Sequence, residues 1–250
     1  MLAINEGILA WLIGIDVGGT FTDFFARDEA TGAVNLFKLP STPDNPARAI
    51  LDGLDAMCAD YGIAVGEIGR ISHGTTVATN TLIQRKGATV ALITTRGFRD
   101  LLEIGRQTRP HMYDMQLDHP APLVPRERRF EAAERMTADG LAETALSDEA
   151  LRRAVDEAIA SGAEACAVCL LFAYINDEHE RRIGASLAER APALAVSLSS
   201  DVQPEFREYE RFSTTVLNAY LQPVMGRYLG YLGDRIGETV PDAPVGIYQS

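Results

Sequence analysis

One stretch limits most strongly what this chain can fold into. It reads Ile13-Gly14-Ile15-Asp16-Val17-Gly18-Gly19-Thr20-Phe21-Thr22-Asp23. Apolar residues from position 8 lead into it; an acid, two glycines and hydroxyls alternating with Phe21 follow. The pattern predicts a strand, a tight turn and a second strand. Gly18 and Gly19 can take positive φ and, without a Cβ, let the backbone come close to a ligand. Successive N–H groups in such a turn form a concavity that binds anions. Thr20 and Thr22 add hydroxyl donors. Asp16, ending a buried strand, is placed to hold a hydrated Mg²⁺, which keeps several waters and takes one or two carboxylates. Together these parts predict a cradle for a nucleotide triphosphate. The plainer alternative is a Gly-Gly hairpin beside a solvated acid. An Asp-x-Gly-Gly-Thr-x-Thr-Asp string behind an apolar strand is more specific than that.

Composition removes several function classes. The chain has 250 residues, 46% hydrophobic and 23% charged, which suits one large or two small globular domains. Its net charge of −12, from 35 acids against 23 bases, opposes a nucleic-acid partner, whose backbone demands clustered Lys and Arg. The apolar run at 8–15 is too short to span a membrane. Glu6 precedes that run and no small-residue cleavage site follows, so it does not read as a signal peptide. Three cysteines, an odd number, fit a reducing compartment, and the chain is expected in the cytoplasm.

Further along, residues 34–39 read as a third strand of a meander. Asn45 and Pro46 read as N-cap and first residue of a helix ended by Gly62. Residues 69–72 predict a short strand that delivers His73-Gly74-Thr75-Thr76 to a helix over 77–85. A buried strand is expected at 89–94, a short helix at 97–105, an irregular excursion at 106–125 and a strand at 128–136. Ser147 caps an amphipathic helix, 164–173 is a buried strand, Asn176 caps the next helix and Pro192 ends it; 195–198 is another strand. This βαβ rhythm implies a parallel sheet. From Phe206 a long helix follows, with Leu217, Tyr220, Leu221, Val224, Tyr228, Tyr231 and Leu232 on its apolar face and a kink at Pro223. A new strand begins at Val245.

Gly74, Thr75 and Thr76 open a helix after a strand, a geometry that offers N–H groups and hydroxyls to an anion. Equally, Ser72 and the threonines cap the helix. Both readings stand on the residues alone. Cys166 and Cys169 match C-x-x-C but lie within one predicted strand. Residues three apart there face opposite sides, so they read as buried structural thiols. His73, His111, His119 and His179 form no ligand pair, and His179, in a first helical turn, is expected to be exposed. Arg106 and Arg109, near Glu103, suit contact with a carboxylate or a partner, though the commoner fate of such residues is a surface ion pair.

The Asp16–Asp23 string resembles the first phosphate loop of the actin, sugar kinase and Hsp70 superfamily, whose domains are ribonuclease H-like. Three further strings extend the likeness. They are Ser72-His73-Gly74-Thr75-Thr76-Val77-Ala78-Thr79-Asn80, then Thr94-Thr95-Arg96-Gly97-Phe98-Arg99-Asp100 with Glu103-Ile104-Gly105-Arg106-Gln107, then residues 205–211 followed by Ser213-Thr214-Thr215 and Asn218-Ala219-Tyr220. Together they resemble the hydantoinase A/5-oxoprolinase family, which includes a subunit of acetone and acetophenone carboxylases. Asp177 stands where many members carry proline.

The resemblance implies an α/β fold, a ribonuclease H-like domain with βαβ units and a C-terminal helical stretch. It implies ATP-dependent activation of a carbonyl oxygen by phosphorylation, then ring opening of a cyclic amide in the hydrolases or carboxylation of a ketone in the carboxylases. The expected cofactors are ATP and Mg²⁺. Asp16 would hold the metal; Gly18, Gly19, Thr20, Thr22 and Asp23, with Gly74, Thr75 and Thr76, would line the nucleotide cleft. A hydantoinase B-type partner subunit and a homo-oligomer are expected, without nucleic acid or membrane. The catalytic residue is not assigned. Residues 1–200 would form the nucleotide-binding region and 201–250 the start of a second domain. Members of this type are much longer, so the chain reads as a fragment or one piece of a split enzyme. A carboxylase-type subunit and a non-catalytic binding or assembly module are the alternatives. With part of the cleft absent, self-association through the apolar face of the long C-terminal helix is expected.

Overall fold

The computed structural model describes residues 11–42, 45–110, 112–114, 116–241 and 243–249. Expectations that fall on residues 1–10, 43–44, His111 and Ser250 lie outside the described residues. In chain order the elements are β1 (Trp11–Val17), β2 (Phe21–Asp28), β3 (Val34–Pro40), α1 (Pro46–Tyr61), β4 (Ile68–Thr75), α2 (Val77–Ile83), β5 (Val90–Thr95), α3 (Leu101–Ile104), β6 (Arg129–Ala132), β7 (Arg135–Met136) and β8 (Ala142–Thr144). Then come α4 (Asp148–Ala160), β9 (Ala165–Cys169), α5 (Glu178–Arg190), β10 (Ala195–Leu198), α6 (Ser199–Val202), α7 (Glu208–Thr239) and β11 (Val245–Gln249). The fold is mixed α/β and divides into two compact units. One takes residues up to Gln84 and from Met225 onward; the other is Arg85–Val224.

The first unit is built on a five-stranded sheet in the order β11-β4-β1-β2-β3. β1, β2 and β3 form an antiparallel meander, whereas β4 runs parallel to β1 and β11 parallel to β4. Alternation along the strands buries Ile13, Ile15 and Val17 of β1, Phe24 and Ala26 of β2, and Ile71 and His73 of β4. α1 covers this face with Ile50, Leu54 and Met57, and α7 with Tyr228, Leu232 and Ile236. α1 approaches closely at Gly53, where a Cβ would lie 2.3 Å from the Phe24 ring. The opposite face carries exposed apolar side chains, Leu36 at 70% and Phe25 at 42%.

The second unit holds a parallel sheet in the order β10-β9-β5-β6. β5 and β9 are buried along their whole length, as a sheet covered on both faces requires. Cys166 and Cys169 are fully buried and carry free thiols, as their place in one strand predicts; burial pushes the Cys166 thiol up to about 12. A buried polar layer closes the carboxyl ends of the strands. The Glu180 carboxylate accepts from the Leu170 and Ser200 N–H groups and from the Ser199 hydroxyl, at 2.7–2.9 Å. Arg211 donates to Ser199 Oγ and to the carbonyls of Leu170 and Glu205.

Several local expectations change. Asn45 occupies the N-cap position of α1 without a side-chain bond. Thr42 ties that end instead, donating to the Asn45 carbonyl and accepting from the Ala49 N–H. Residues 128–136 are two short strands, because Glu134 turns inward to meet Thr95 and His179. His179 is buried, not exposed: its Nδ1 lies 2.8 Å from Glu134 and its Nε2 accepts from the Leu146 N–H. After Cys169 the chain leaves the strand for a turn in which Phe172 has a φ of 55°. The helix expected at 97–105 begins only at Leu101, since Gly97 sits at φ 91°. Asn176 accepts from the Glu178 N–H, but the cap position itself is Asp177. Ser147 does cap α4, through the Ala150 N–H.

Candidate functional site

β1 and β2 form the hairpin that the motif predicts, with Asp16 opposite Asp23 and Val17 opposite Thr22. Pleating sends Gly14 and Asp16 to the face away from the core, and on β4 it sends Ser72 and Gly74 to that face too. Register then aligns Lys38, Asp23, Asp16, Gly74 and Tyr248 on one rung across the five strands. A groove of about 550 Å³ lies over this face, bordered by Gly14, Asp16, Asp23, Phe25, Lys38 and Gly74.

Electrostatics on the rung are asymmetric. Two carboxylates directly opposite each other repel. Lys38 Nζ lies 2.9 Å from Asp23 and also over the Phe21 ring, so it neutralises one of them. Asp16 is exposed and forms no salt bridge among the described residues. On its other side is Gly74, where a Cβ would stand 3.4 Å from Asp16 Oδ1 and occupy the space beside the carboxylate. Among the described residues no three His, Cys, Asp or Glu side chains cluster as a protein-only metal cage. The donor set fits an ion that keeps its waters and takes one or two carboxylates, as Mg²⁺ does with phosphates.

The turn itself departs from expectation in its means. Neither Gly18 nor Gly19 is among the glycines with positive φ. The Gly18 N–H donates to the Phe21 carbonyl at 3.0 Å, and among the described residues the amides of Gly19 and Thr20 donate to no backbone carbonyl outside the strands. A Cβ on Gly19 would meet no atom within 4 Å, so nothing inside the chain requires glycine there.

The threonines divide. Thr20 is exposed at the turn. Thr22 is fully buried, its Oγ1 3.0 Å from Ser41 Oγ. Ser41 Oγ donates to the Gly18 carbonyl and its N–H to the Thr20 carbonyl, so the Thr22 hydroxyl is the donor to Ser41. Thr22 and Ser41 brace the turn from within. Thr75 is buried and accepts from the Val77 N–H, while Thr76, the N-cap residue of α2, makes no side-chain cap bond and donates through Oγ1 to the Val17 carbonyl at the end of β1. The structure thus gathers Asp16, Asp23, Gly74 and the tip at Gly18, Gly19 and Thr20, and turns Thr22 and Thr75 inward. Ser41 carried no sequence signal: a serine after a proline has many fates. His73, seen in the sequence only as an isolated histidine, lies directly behind the rung, with its ring in the core. Arg106 pairs with Glu210, the surface ion pair that its position suggested.

Comparison with known proteins follows the same lines. Residues 12–191 match the family described as hydantoinase/oxoprolinase N-terminal region. The caprolactamase subunit alpha of Pseudomonas jessenii is 38% identical over 95% of this chain and 35% of its own length. The crystal structure of that ATP-dependent caprolactamase superposes with a TM-score of 0.84 over 95% of this chain and 35% of the other. 5-oxoprolinase 1 of Arabidopsis thaliana is 33% identical over 92% of this chain and 20% of its own length. The nucleotide-free structure from a study of ATP-dependent acetone carboxylation is 28% identical, with a TM-score of 0.81 over 92% of this chain and 35% of the other. The chain therefore spans about a third or less of the length of these relatives. No helix among the described residues is long and apolar enough to cross a membrane. From the Asp16 hairpin to the end of α5, sequence and fold agree, and the chain belongs to the hydantoinase/oxoprolinase family, whose N-terminal region it matches.

Proposed function

We propose that this chain is the nucleotide-binding part of an ATP-dependent amidohydrolase that activates a cyclic amide carbonyl by phosphorylation. The observation that carries the reading is the rung: an exposed Asp16 with no salt bridge among the described residues, and a glycine where any side chain would fill the space beside that carboxylate. The strand order and directions of the first sheet support a ribonuclease H-like assignment, with the hairpin at its tip as phosphate loop. The relatives named as a caprolactamase and a 5-oxoprolinase support a cyclic amide as substrate. The likeness to acetone carboxylase keeps a ketone carboxylase as second reading. As family regions, residues 1–200 are then the nucleotide-binding part and 201–250 the start of a second one, whose β11 completes the first sheet. Relatives named as subunits support a hydantoinase B-type partner and an oligomer. Three buried free thiols support the cytoplasm.

Within this reading Asp16 orients the hydrated Mg²⁺. The Gly19 and Thr20 amides would hold phosphate oxygens at the hairpin tip, and Gly18 and Gly74 would keep the approach open. Asp23, held by Lys38, would lie beside that ion's hydration shell, and Thr22, Thr75 and Thr76 hold the loop backbone still. When bound, Mg·ATP supplies the phosphoryl group that makes a poor amide oxygen a good leaving group. The chain's own contribution is positioning and charge stabilisation.

Gly19→Val tests the reading, because the fold has room for the new side chain. The expected outcome is an unchanged melting temperature with Mg·ATP binding lost, followed by amide shifts during titration. Asp16→Asn should weaken Mg·ATP binding and leave the fold intact. Unaltered nucleotide binding in both variants would reduce the hairpin to structure.

A further inference from the structure

The groove side of the rung has a counterpart on the core side. Ile15 and His73 are paired neighbours on β1 and β4, immediately before Asp16 and Gly74. Alternation sends both into the core while Asp16 and Gly74 face the groove. His73 is fully buried among apolar residues, yet both its ring nitrogens are engaged. Nδ1 lies 3.3 Å from the Ile15 carbonyl oxygen and Nε2 lies 2.6 Å from Tyr228 Oη on α7.

The direction of every hydrogen bond follows. A carbonyl only accepts, so Nδ1 carries the proton. Burial pushes the His73 pKa down, which favours the neutral ring, and Nε2 accepts from the Tyr228 hydroxyl. Thr75 lies beside the Tyr228 hydroxyl and opposes the rise that burial gives its pKa, and the Thr75 oxygen accepts from the Val77 N–H. A one-way chain thus runs from Tyr228, through His73, to the carbonyl next to Asp16.

An apolar side chain would fill this part of the core without needing partners, and a buried polar network is costly unless complete. We propose that His73 is a positioning residue. From the core side it fixes the pleat of β1 and β4 at the level where Asp16 and Gly74 would receive the nucleotide and its metal, with Tyr228 and Thr75 holding its ring. The proposal rests on the nucleotide-site reading above.

Conservative variants separate positioning from packing. The amide nitrogen of asparagine can take the place of Nδ1; that of glutamine falls nearer Nε2. We expect His73→Asn to bind Mg·ATP within about twofold of wild type, and His73→Gln to bind about fivefold or more weakly, with Tyr228→Phe between them. The measurement is Mg·ATP titration of the 250-residue chain, read at the Gly19 and Thr20 amides beside the melting temperature of each variant. Equal losses in His73→Asn and His73→Gln, or wild-type affinity in a folded His73→Gln, would overturn the proposal. Should His73→Gln not fold, long-range ¹⁵N–¹H spectra of the wild type decide: the Nδ1–H tautomer is expected, and Nε2–H overturns the chain of bonds. Loss of binding in Gly19→Val with wild-type binding in His73→Gln would sink only this proposal. Absence of Mg·ATP shifts in the wild type would sink the nucleotide-site reading and this proposal with it.

Discussion

Residues with the same chemistry have different work in this protein according to which face of a strand they occupy. Thr20 and Thr22 are two apart in the motif, yet Thr20 is exposed at the turn and Thr22 is sealed against Ser41. Thr22→Val should therefore act on stability. It leaves Ser41 Oγ without its donor and should cost about 1 kcal/mol, a typical net hydrogen-bond contribution, measured by urea unfolding. A threonine that contacted phosphate would show the opposite pattern, an unchanged midpoint with weaker nucleotide binding. Asp16 and Asp23 divide in the same way. They are cross-strand partners, but Lys38 engages only Asp23, and that leaves Asp16 as the carboxylate open to a cation.

Among the elements, α1 and β11 hold the rung in place from two directions. α1 lies so close to β2 that a Cβ at Gly53 would enter both the Phe24 ring and the Leu39 side chain. Gly53→Ala gains helix propensity but overpacks the core, and overpacking costs about 1–3 kcal/mol. We expect a lower unfolding midpoint for this variant, against the rise that the same change gives in an open helix. β11 covers the outer edge of β4, with Gly246 beside Ser72 and Tyr248 beside Gly74. Removing residues 241–250 should leave β4 as an unprotected edge next to the site. The expected result is concentration-dependent light scattering and a lower melting temperature; a monodisperse shortened chain with unchanged melting would show that β11 is dispensable.

For the whole molecule, the apolar surface lies elsewhere than the long helix suggested. Tyr220, Tyr228 and Leu232 of α7 are buried, and Tyr231 alone of those three turns' aromatics is exposed, at 45%. Leu217, Leu221 and Val224 are half-buried, so the helical face expected to drive self-association is partly covered. On the proposed reading the hairpin supplies only part of a nucleotide site, while the entropic cost of fixing the ligand stays whole. We expect the 250-residue chain to bind Mg·ATP at about millimolar or weaker and not to hydrolyse it. Calorimetry with a phosphate-release assay would check this; micromolar binding with turnover would show a site complete within these residues.

The hairpin, the buried β5 and β9, the Ser147 cap and the buried thiols were legible in the sequence. Each rests on short-range geometry: a period of two, a period of 3.6, or a side chain reaching an amide three residues on. The same local rules could not tell which hydroxyl of the motif faces the groove, since Thr22 depends on Ser41, nineteen residues away. Nor could they show that β11 returns to the first sheet, that Glu134 and His179 meet in the core 45 residues apart, or that His73 stands behind Asp16 with Tyr228 on its ring. Those facts depend on strand order and on which helix covers which face. Local pattern writes faces and ends into the chain, but partners distant in sequence are chosen only when the sheets assemble.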